Sequence, residues 1–293
     1  MKIPAIVLLA CALGITSLDA QSTINATNKY AYAANLGWVN ARGDTTNGVV
    51  IGEYVCSGYA YAANVGWINF GSGSAANGVY YSNSSASDFG VNQDGTGRLR
   101  GYAYGANIGW INFEDTGNPT VNLLTGQLTG YAYSANCGWI SLADTNVVVY
   151  TDIIRRGLST AGDGIPDAWK ILNFGSISNP LAAANADPDG DGRTNLQEYR
   201  DGTNPNNPNS ALAILPPFPK SGASPATLTW TSVPSAGYTY TIEYNVDLIS
   251  GWTDSGLRPF QASGGTNTST AVNISGTQKF YRVRAIQTSL LQP

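Results

Sequence analysis

Twelve residues, Asp187 to Glu198 (D-P-D-G-D-G-R-T-N-L-Q-E), form the one stretch of this chain in which residue type and spacing together specify a chemistry. Calcium is a hard cation that takes about six to eight oxygen ligands, and a short loop wrapped around it offers side chains from alternate positions. Asp187, Asp189 and Asp191 stand at the first, third and fifth positions. Gly192 follows where the chain must turn sharply and a Cβ is penalised. Arg193, at the seventh position, would contribute its backbone carbonyl. Asn195 at the ninth would bind directly or through a water, and Glu198 at the twelfth with both carboxylate oxygens. The plain alternative is a solvated acidic turn. Clustered carboxylates repel unless a cation sits among them, so Ca2+ is the expected ligand, held weakly, on the order of 10⁻⁴–10⁻³ M as in extracellular modules.

The elements that hold this loop are short. A damaged copy lies upstream at Gly162–Lys170: Asp163, Gly164 and Asp167 take the fifth, sixth and ninth positions, but Ser159, Ala161 and Lys170 replace the first, third and twelfth. Two readings fit Asp163 and Asp167. They share an ion with the downstream loop, or they cap the helix that follows, since Asp is favoured at helix N-termini. Trp169, Ile171, Leu172 and Phe174 read as one face of a short amphipathic helix. Leu196 and Tyr199 begin a second, which Asp201-Gly202-Thr203-Asn204-Pro205 ends. A unit this small usually needs a metal to hold it.

The segment resembles the calcium-binding repeats of the thrombospondin type 3 class found in bacterial secreted proteins: D-x-D-G-D-G-x-x-N-x-x-E, a short helix, then a G-T-N-P turn. The resemblance spans roughly fifty residues and implies a structural calcium-binding spacer with an EF-hand-like loop, in which Asp187, Asp189, Asp191, Asn195 and Glu198 are ligands. Dockerin modules share the loop but usually carry two good copies, so the degraded first copy argues against cohesin binding.

Composition narrows the setting. The 293 residues suffice for two or three domains. A net charge of −4, with 12% charged residues, leaves no basic stripe to meet phosphates, so nucleic acid is not an expected partner. There is no histidine, which removes His-dependent nucleophile systems and His-ligated zinc. Residues 1–20 read as a signal peptide: Lys2, an apolar core from Ile3 to Leu18, and Ala20 before the expected cleavage point. Its apolar run is shorter than the ~20 residues of a membrane span, and no other segment could cross a bilayer. Export to the cell surface, the periplasm or the medium is expected.

The N-terminal half repeats itself four times: Tyr30-Ala-Tyr-Ala-Ala-Asn-Leu-Gly-Trp-Val-Asn40, then the copies opening at Gly58, Gly101 and Gly130. Each reads as strand, tight turn, strand. Tyr-Ala-Tyr alternates with period two, and Asn is placed at the bend, where it tolerates a left-handed backbone. One hairpin cannot bury its own aromatic face, so the four must stack or close on each other. The tyrosines, with Trp38, Trp67, Trp110 and Trp139, have two readings: an exposed face that stacks on sugar rings, or an internal ladder packing repeat on repeat. Cys56 and Cys137 occupy slots that are otherwise apolar, so each is either a core thiol or half of a disulfide between the second and fourth repeats. Asp44, Glu114, Asp115 and Asp144 follow the Trp strands. They form turn chemistry, a second cation site, or a carboxylate pair for glycoside hydrolysis. Similar repeats occur in bacterial secreted proteins and bring no activity with them.

Beyond Leu215-Pro216-Pro217-Phe218-Pro219 the pattern alternates cleanly: Ala226, Leu228 and Trp230 on one face; Tyr238, Tyr240, Ile242 and Tyr244; then Tyr281, Val283 and Ala285 against Arg282 and Arg284. This argues a β-sandwich. It resembles a fibronectin type III module with a doubtful last strand, to be drawn from Gln287–Leu291, and without an Arg-Gly-Asp tripeptide.

The expected molecule is therefore mostly β: a signal peptide (1–20), a four-repeat all-β domain (21–150), a short α-helical calcium-binding segment (151–210) and a C-terminal β-sandwich (211–293). The function expected is non-catalytic: surface adhesion, or binding of a glycan or a cell-surface protein. The alternatives are a carboxylate-only glycoside hydrolase and a purely architectural surface component.

Overall fold

Strict alternation puts the alanines and the tyrosines of each repeat on opposite faces of a strand, and the architecture turns on which face points inward. The computed structural model describes residues 21–43, 46–217, 226–233, 237–257, 259–261, 267–272, 279–287 and 290–292. The expected leader at 1–20, Asp44, and the linker residues Phe218 and Pro219 lie outside the described residues. The described chain is mostly β, with two α-helices.

Four antiparallel hairpins build an eight-stranded barrel. Ile24–Ala33 pairs with Gly37–Asn40, Ser57–Ala62 with Gly66–Ser72, Leu99–Gly105 with Gly109–Asn112, and Tyr131–Ser134 with Gly138–Ser141. The second strand of each hairpin pairs with the first strand of the next, through Val39–Ala62, Ile68–Gly105 and Ile111–Ser134. Tyr32 opposite Ser141 closes the circle. Three short strands, Val148–Thr151, Gln127–Thr129 and Thr120–Val121, extend the sheet from the first strand.

The first strands present Ala31, Ala33, Ala60, Ala62, Ala103, Ala132 and Ser134 to the interior, and the second strands Val39, Ile68, Ile111 and Ile140. Small and large thus alternate around the barrel, which at eight strands has only room for side chains. The remaining central void is about 40 Å³ and lined by apolar side chains. A water placed there would lack polar partners. The core takes the Phe113 ring with Phe70 against it, but the repeat tyrosines and tryptophans lie on the opposite face of their strands, so the internal ladder of those rings does not form. Trp38, Trp67, Trp110 and Trp139 point outward, 46–51% exposed. Each packs against two tyrosines of its own hairpin, as Trp38 does edge-on to Tyr30 and Tyr32 at 6.0 and 5.2 Å.

The hairpin turns also differ from expectation. The left-handed residue is the glycine, with φ of +80° at Gly37 and +81° at Gly66, and not the asparagine. The asparagine bridges instead. Asn64 Nδ2 donates to the Leu36 carbonyl at 3.0 Å, Asn107 to Val65 at 3.0 Å, Asn136 to Ile108 at 3.0 Å, and Asn35 to Cys137 at 3.4 Å. Each turn holds the preceding one, head to tail, around the rim. Leu36, Ile108 and Cys137 fold inward from these turns as a lid on the core.

Cys56 and Cys137 are buried free thiols, not a disulfide. Both lie in the buried apolar cluster and act as small core residues; burial pushes the Cys56 thiol up to about 12.

Helix α1 (Asp167–Phe174) packs against the barrel base, where Ala168, Trp169 and Ile171 meet Tyr54, Val79 and Tyr80. Helix α2 (Asn195–Asp201) starts on a capping box, Thr194 with Gln197, and ends at Gly202 with φ +73°. A Cβ at Gly202 would stand 2.7 Å from the Tyr238 ring, so glycine is required there for backbone and for space.

The C-terminal strands form two separate sheets. Ile214–Leu215, Ala226–Thr231 and Asn267–Val272 make one; Tyr238–Asn245 with Thr253–Asp254, Phe260–Gln261 and Phe280–Gln287 makes the other. Leu228, Trp230 and Val272 of the first meet Tyr240, Ile242 and Ala285 of the second in one buried cluster. The last strand departs from expectation. Leu291–Gln292 leaves these sheets and pairs in parallel with Ile154–Arg155 at the barrel base, because Leu290 and Leu291 find apolar cover against the barrel core.

If the turn asparagine acts through its side chain, Asn64→Ala and Asn64→Gly each lower unfolding stability by about 1 kcal/mol in chemical denaturation. A glycine variant as stable as wild type would return the residue to a purely conformational role. Cys56 and Cys137 are expected to react with Ellman's reagent only after denaturation. A chain with neither thiol reactive in denaturant would instead contain a bridge.

Candidate metal centre

Local chemistry shapes the Asp187–Glu198 loop before any ion is considered. The Asp187 carboxylate accepts from Gly190 N and Gly192 N, both at 2.9 Å. Asp189 Oδ1 accepts from Asp191 N at 3.2 Å, and Asp191 Oδ1 from Arg193 N at 2.8 Å. These bonds turn the backbone amides inward and hold the three carboxylates together: one oxygen from each lies within 4.8 Å of the others. The Arg193 side chain turns away and pairs with Asp201 at the end of α2.

Helix α2 brings in the remaining residues. Asn195 and Glu198 are fully buried. Asn195 Nδ2 donates to the carbonyls of Leu181 and Ala183, each at 2.7 Å, which ties the loop to the one-turn helix Pro180–Ala182 and leaves Oδ1 without a partner. Glu198 takes Thr203 Oγ1 at 3.2 Å on one oxygen, and its Oε2 has no partner. Asp189 Oδ2 and Asp191 Oδ2 are likewise buried and unpartnered. Four orphaned oxygens therefore come from the third, fifth, ninth and twelfth loop positions. Each unsatisfied buried oxygen costs about 1–3 kcal/mol, more when charged. Burial first, then the charges of Asp189 and Asp191, push the Glu198 carboxyl up to about 7 against the opposing Thr203 bond and Arg193 charge. Such a donor set, three carboxylate oxygens and one amide oxygen, fits a hard divalent cation.

In the upstream copy Asp167 opens α1 and stands in its first turn, as expected for an aspartate at a helix N-terminus, though no side chain caps that helix. Asp163 faces Lys170, with Oδ2 2.5 Å from a Lys170 Nζ that is 3% exposed, and also accepts from Ile165 N at 3.2 Å. Asp167 takes the Thr160 amide at 3.0 Å and the Thr160 hydroxyl at 2.5 Å. The lysine standing at the twelfth position thus supplies the positive charge from within the chain. Burial would raise the Asp163 carboxyl, but the Lys170 bond, the Ile165 amide and the Lys170 charge outweigh it and hold it below the usual range.

Glu114 and Asp144 are held by backbone amides. Glu114 Oε1 accepts from Gly101 N at 2.7 Å, and Asp144 Oδ1 from Asn146 N at 2.9 Å. Among the described residues the one cluster of three potential metal ligands is Asp187, Asp189 and Asp191.

Sequence reasoning missed the joint beside this centre. Tyr199, next to Glu198 in α2, donates its hydroxyl to Glu53 Oε1 at 2.8 Å on the barrel base. Its carbonyl accepts from Tyr238 Oη at 3.2 Å and Gln287 Nε2 at 2.8 Å in the C-terminal sheets. Glu53 Oε2 accepts from Gly157 N at 2.9 Å. Burial raises the Glu53 carboxyl against these bonds and Arg156. No family model, no curated protein and no solved structure matches this chain.

Removing the internal cation by Lys170→Met is expected to cost about 3 kcal/mol by leaving Asp163 unpaired, by the same amount with calcium or with EDTA, and Lys170→Met/Asp163→Leu should recover part of it. Because the Asp163 pKa is depressed by folding, its contribution is full above about pH 4 and lost as pH falls through the folded value. A loss seen only in EDTA would mean that Asp163 serves the metal loop.

Proposed function

We propose that this chain is an exported, non-catalytic, calcium-stiffened module that binds glycan at the cell exterior through the outer face of its barrel. The observation that carries the reading is the outward placement of every repeat tryptophan. Soluble proteins rarely leave regularly spaced large rings half-exposed unless a partner covers them. An indole flanked by tyrosine edges offers an apolar platform with polar rims, the arrangement suited to the apolar face of a sugar ring. The barrel core is too small and too apolar to hold a ligand, so recognition falls to the exterior. No helix among the described residues is long and apolar enough to cross a membrane.

In this reading Ca2+ is held by Asp187, Asp189, Asp191, Asn195 and Glu198, with the Arg193 carbonyl, and its charge compensates the four orphaned oxygens. The segment acts as a thrombospondin type 3-like spacer, and the C-terminal sheets as a fibronectin type III-like sandwich. Calcium fixes α2, and through Tyr199 the relation of the spacer to both β units.

Calorimetric titration of Ca2+ into the mature protein is expected to give one binding event that Asp189→Asn weakens at least about tenfold. EDTA should lower Tm and admit protease between residues 155 and 210. No heat of binding, together with an unchanged digestion pattern, would remove calcium from the account. Retention of the protein by no polysaccharide in a panel would leave a purely architectural component.

A further inference from the structure

The four tryptophans are alike in sequence and unlike in cover. Phe89, from the insertion between the second and third repeats, stands edge-on to Trp110 at 5.1 Å. The backbone at Gly43 runs against Trp67, so closely that a Cβ there would lie 2.8 Å from the indole. Trp38 is the most exposed of the four, at 51%. It also has something the sheet face alone does not supply. The strand Val148–Thr151 pairs with the start of the first barrel strand, Val148 opposite Tyr30, and raises a second wall beside the ring. The result is a groove of about 480 Å³ lined by Thr27, Asn28, Tyr30, Trp38, Asn146 and Val148.

These walls are built, and their chemistry is specific. Asn25 Oδ1 accepts from Thr27 N at 2.9 Å and Asn28 N at 2.8 Å, which sets the break in register of the first strand that carries one amide. Asp144 Oδ1 accepts from Asn146 N and sets the turn carrying the other. The groove therefore sets an indole and a phenol beside two carboxamides and a hydroxyl. Its volume lies in the range of small-molecule sites; the Tyr30 phenol is the one titratable group in its lining, and the Lys29 ammonium stands 5.5 Å from the Tyr30 ring centroid. Amides both donate and accept, which matches the paired donor and acceptor character of sugar hydroxyls. A cationic ligand would find no carboxylate in the lining, an anionic one would meet only a Lys29 ammonium already engaged over the Tyr30 ring, and a purely apolar one would strand the amides.

We infer that this groove is the saccharide subsite of the barrel, taking one neutral pyranose unit with its apolar face on Trp38 and its hydroxyls bonded by Asn28, Asn146 and Thr27. The inference rests on the glycan-binding reading and narrows it to one of four pseudo-equivalent positions. The other three triads are accessory surface.

The test uses the mature calcium-loaded protein, calorimetry, and four probes: cellohexaose, xylohexaose, mannohexaose and, as the acidic contrast, hexagalacturonate. At least one neutral probe should bind. Trp38→Ala and Asn146→Ala should each weaken it, the first by about tenfold or more, while Trp67→Ala and Trp139→Ala change affinity less than about twofold. All four positions are exposed, and an unchanged melting curve for each variant shows that folding is intact. Equal losses at Trp38, Trp67 and Trp139 would overturn the single subsite and leave glycan binding standing. Binding of hexagalacturonate alone would overturn the neutral ligand. Failure of all four probes would overturn both the subsite and the reading beneath it.

Discussion

The width of an eight-stranded barrel is the constraint on which the rest of this molecule depends. A circle of eight strands leaves a core about one layer of side chains across. The repeats meet it by sending alanine inward from one strand of each hairpin and valine or isoleucine from the other. Because a strand has only two faces, the same choice forces every Tyr-Trp pair outward. The aromatic exterior is thus a geometric by-product of a narrow interior before it is anything else. Its regular spacing is inherited from the hairpin repeat, and the cover over each ring is decided by the loops between hairpins.

A second constraint operates at the spacer. Two β units with separate cores are joined there through few residues, and Tyr199 carries contacts to both. It sits one residue beyond Glu198, whose carboxylate is buried among like charges. The energetic state of the acidic loop and the geometry of the joint are therefore set in the same turn of helix. The upstream copy shows the alternative solution, in which a lysine on α1 replaces the external cation. The pair of loops divides the labour: one half is permanently compensated, and the other carries uncompensated oxygen.

Much of this was legible in the sequence, for definite reasons. The acidic loop was readable because alternate aspartates on a tight turn must share one face, and the structure gathers Asp187, Asp189 and Asp191, with the buried Asn195 and Glu198 following on α2. The hairpins were readable from Tyr-Ala-Tyr and Gly-Trp-Ile-Asn because period two survives in short strands. The side that faces inward was not, since alternation defines two faces without naming the core. It takes closure of the barrel to exclude the rings. The asparagine bridges were hidden for a similar reason: a side chain bonding to a neighbouring repeat looks, in one dimension, like a turn former. Lys170 could have been read from its alignment with the twelfth loop position, where a cation replaces an anion. The Tyr199 joint left no local signal, because its partners lie far apart in the chain.

Closure by Tyr32 against Ser141 has a consequence for the newly made chain. The first strand emerges early from synthesis, yet its closing neighbour belongs to the last hairpin, so until Ser141 has been added it presents an open β edge with unpaired amides and carbonyls. Such edges recruit other strands. Two unfinished copies could complete each other by exchanging hairpins, with Val39, Ile68, Ile111 and Ile140 of the second strands left exposed to make that exchange adhesive.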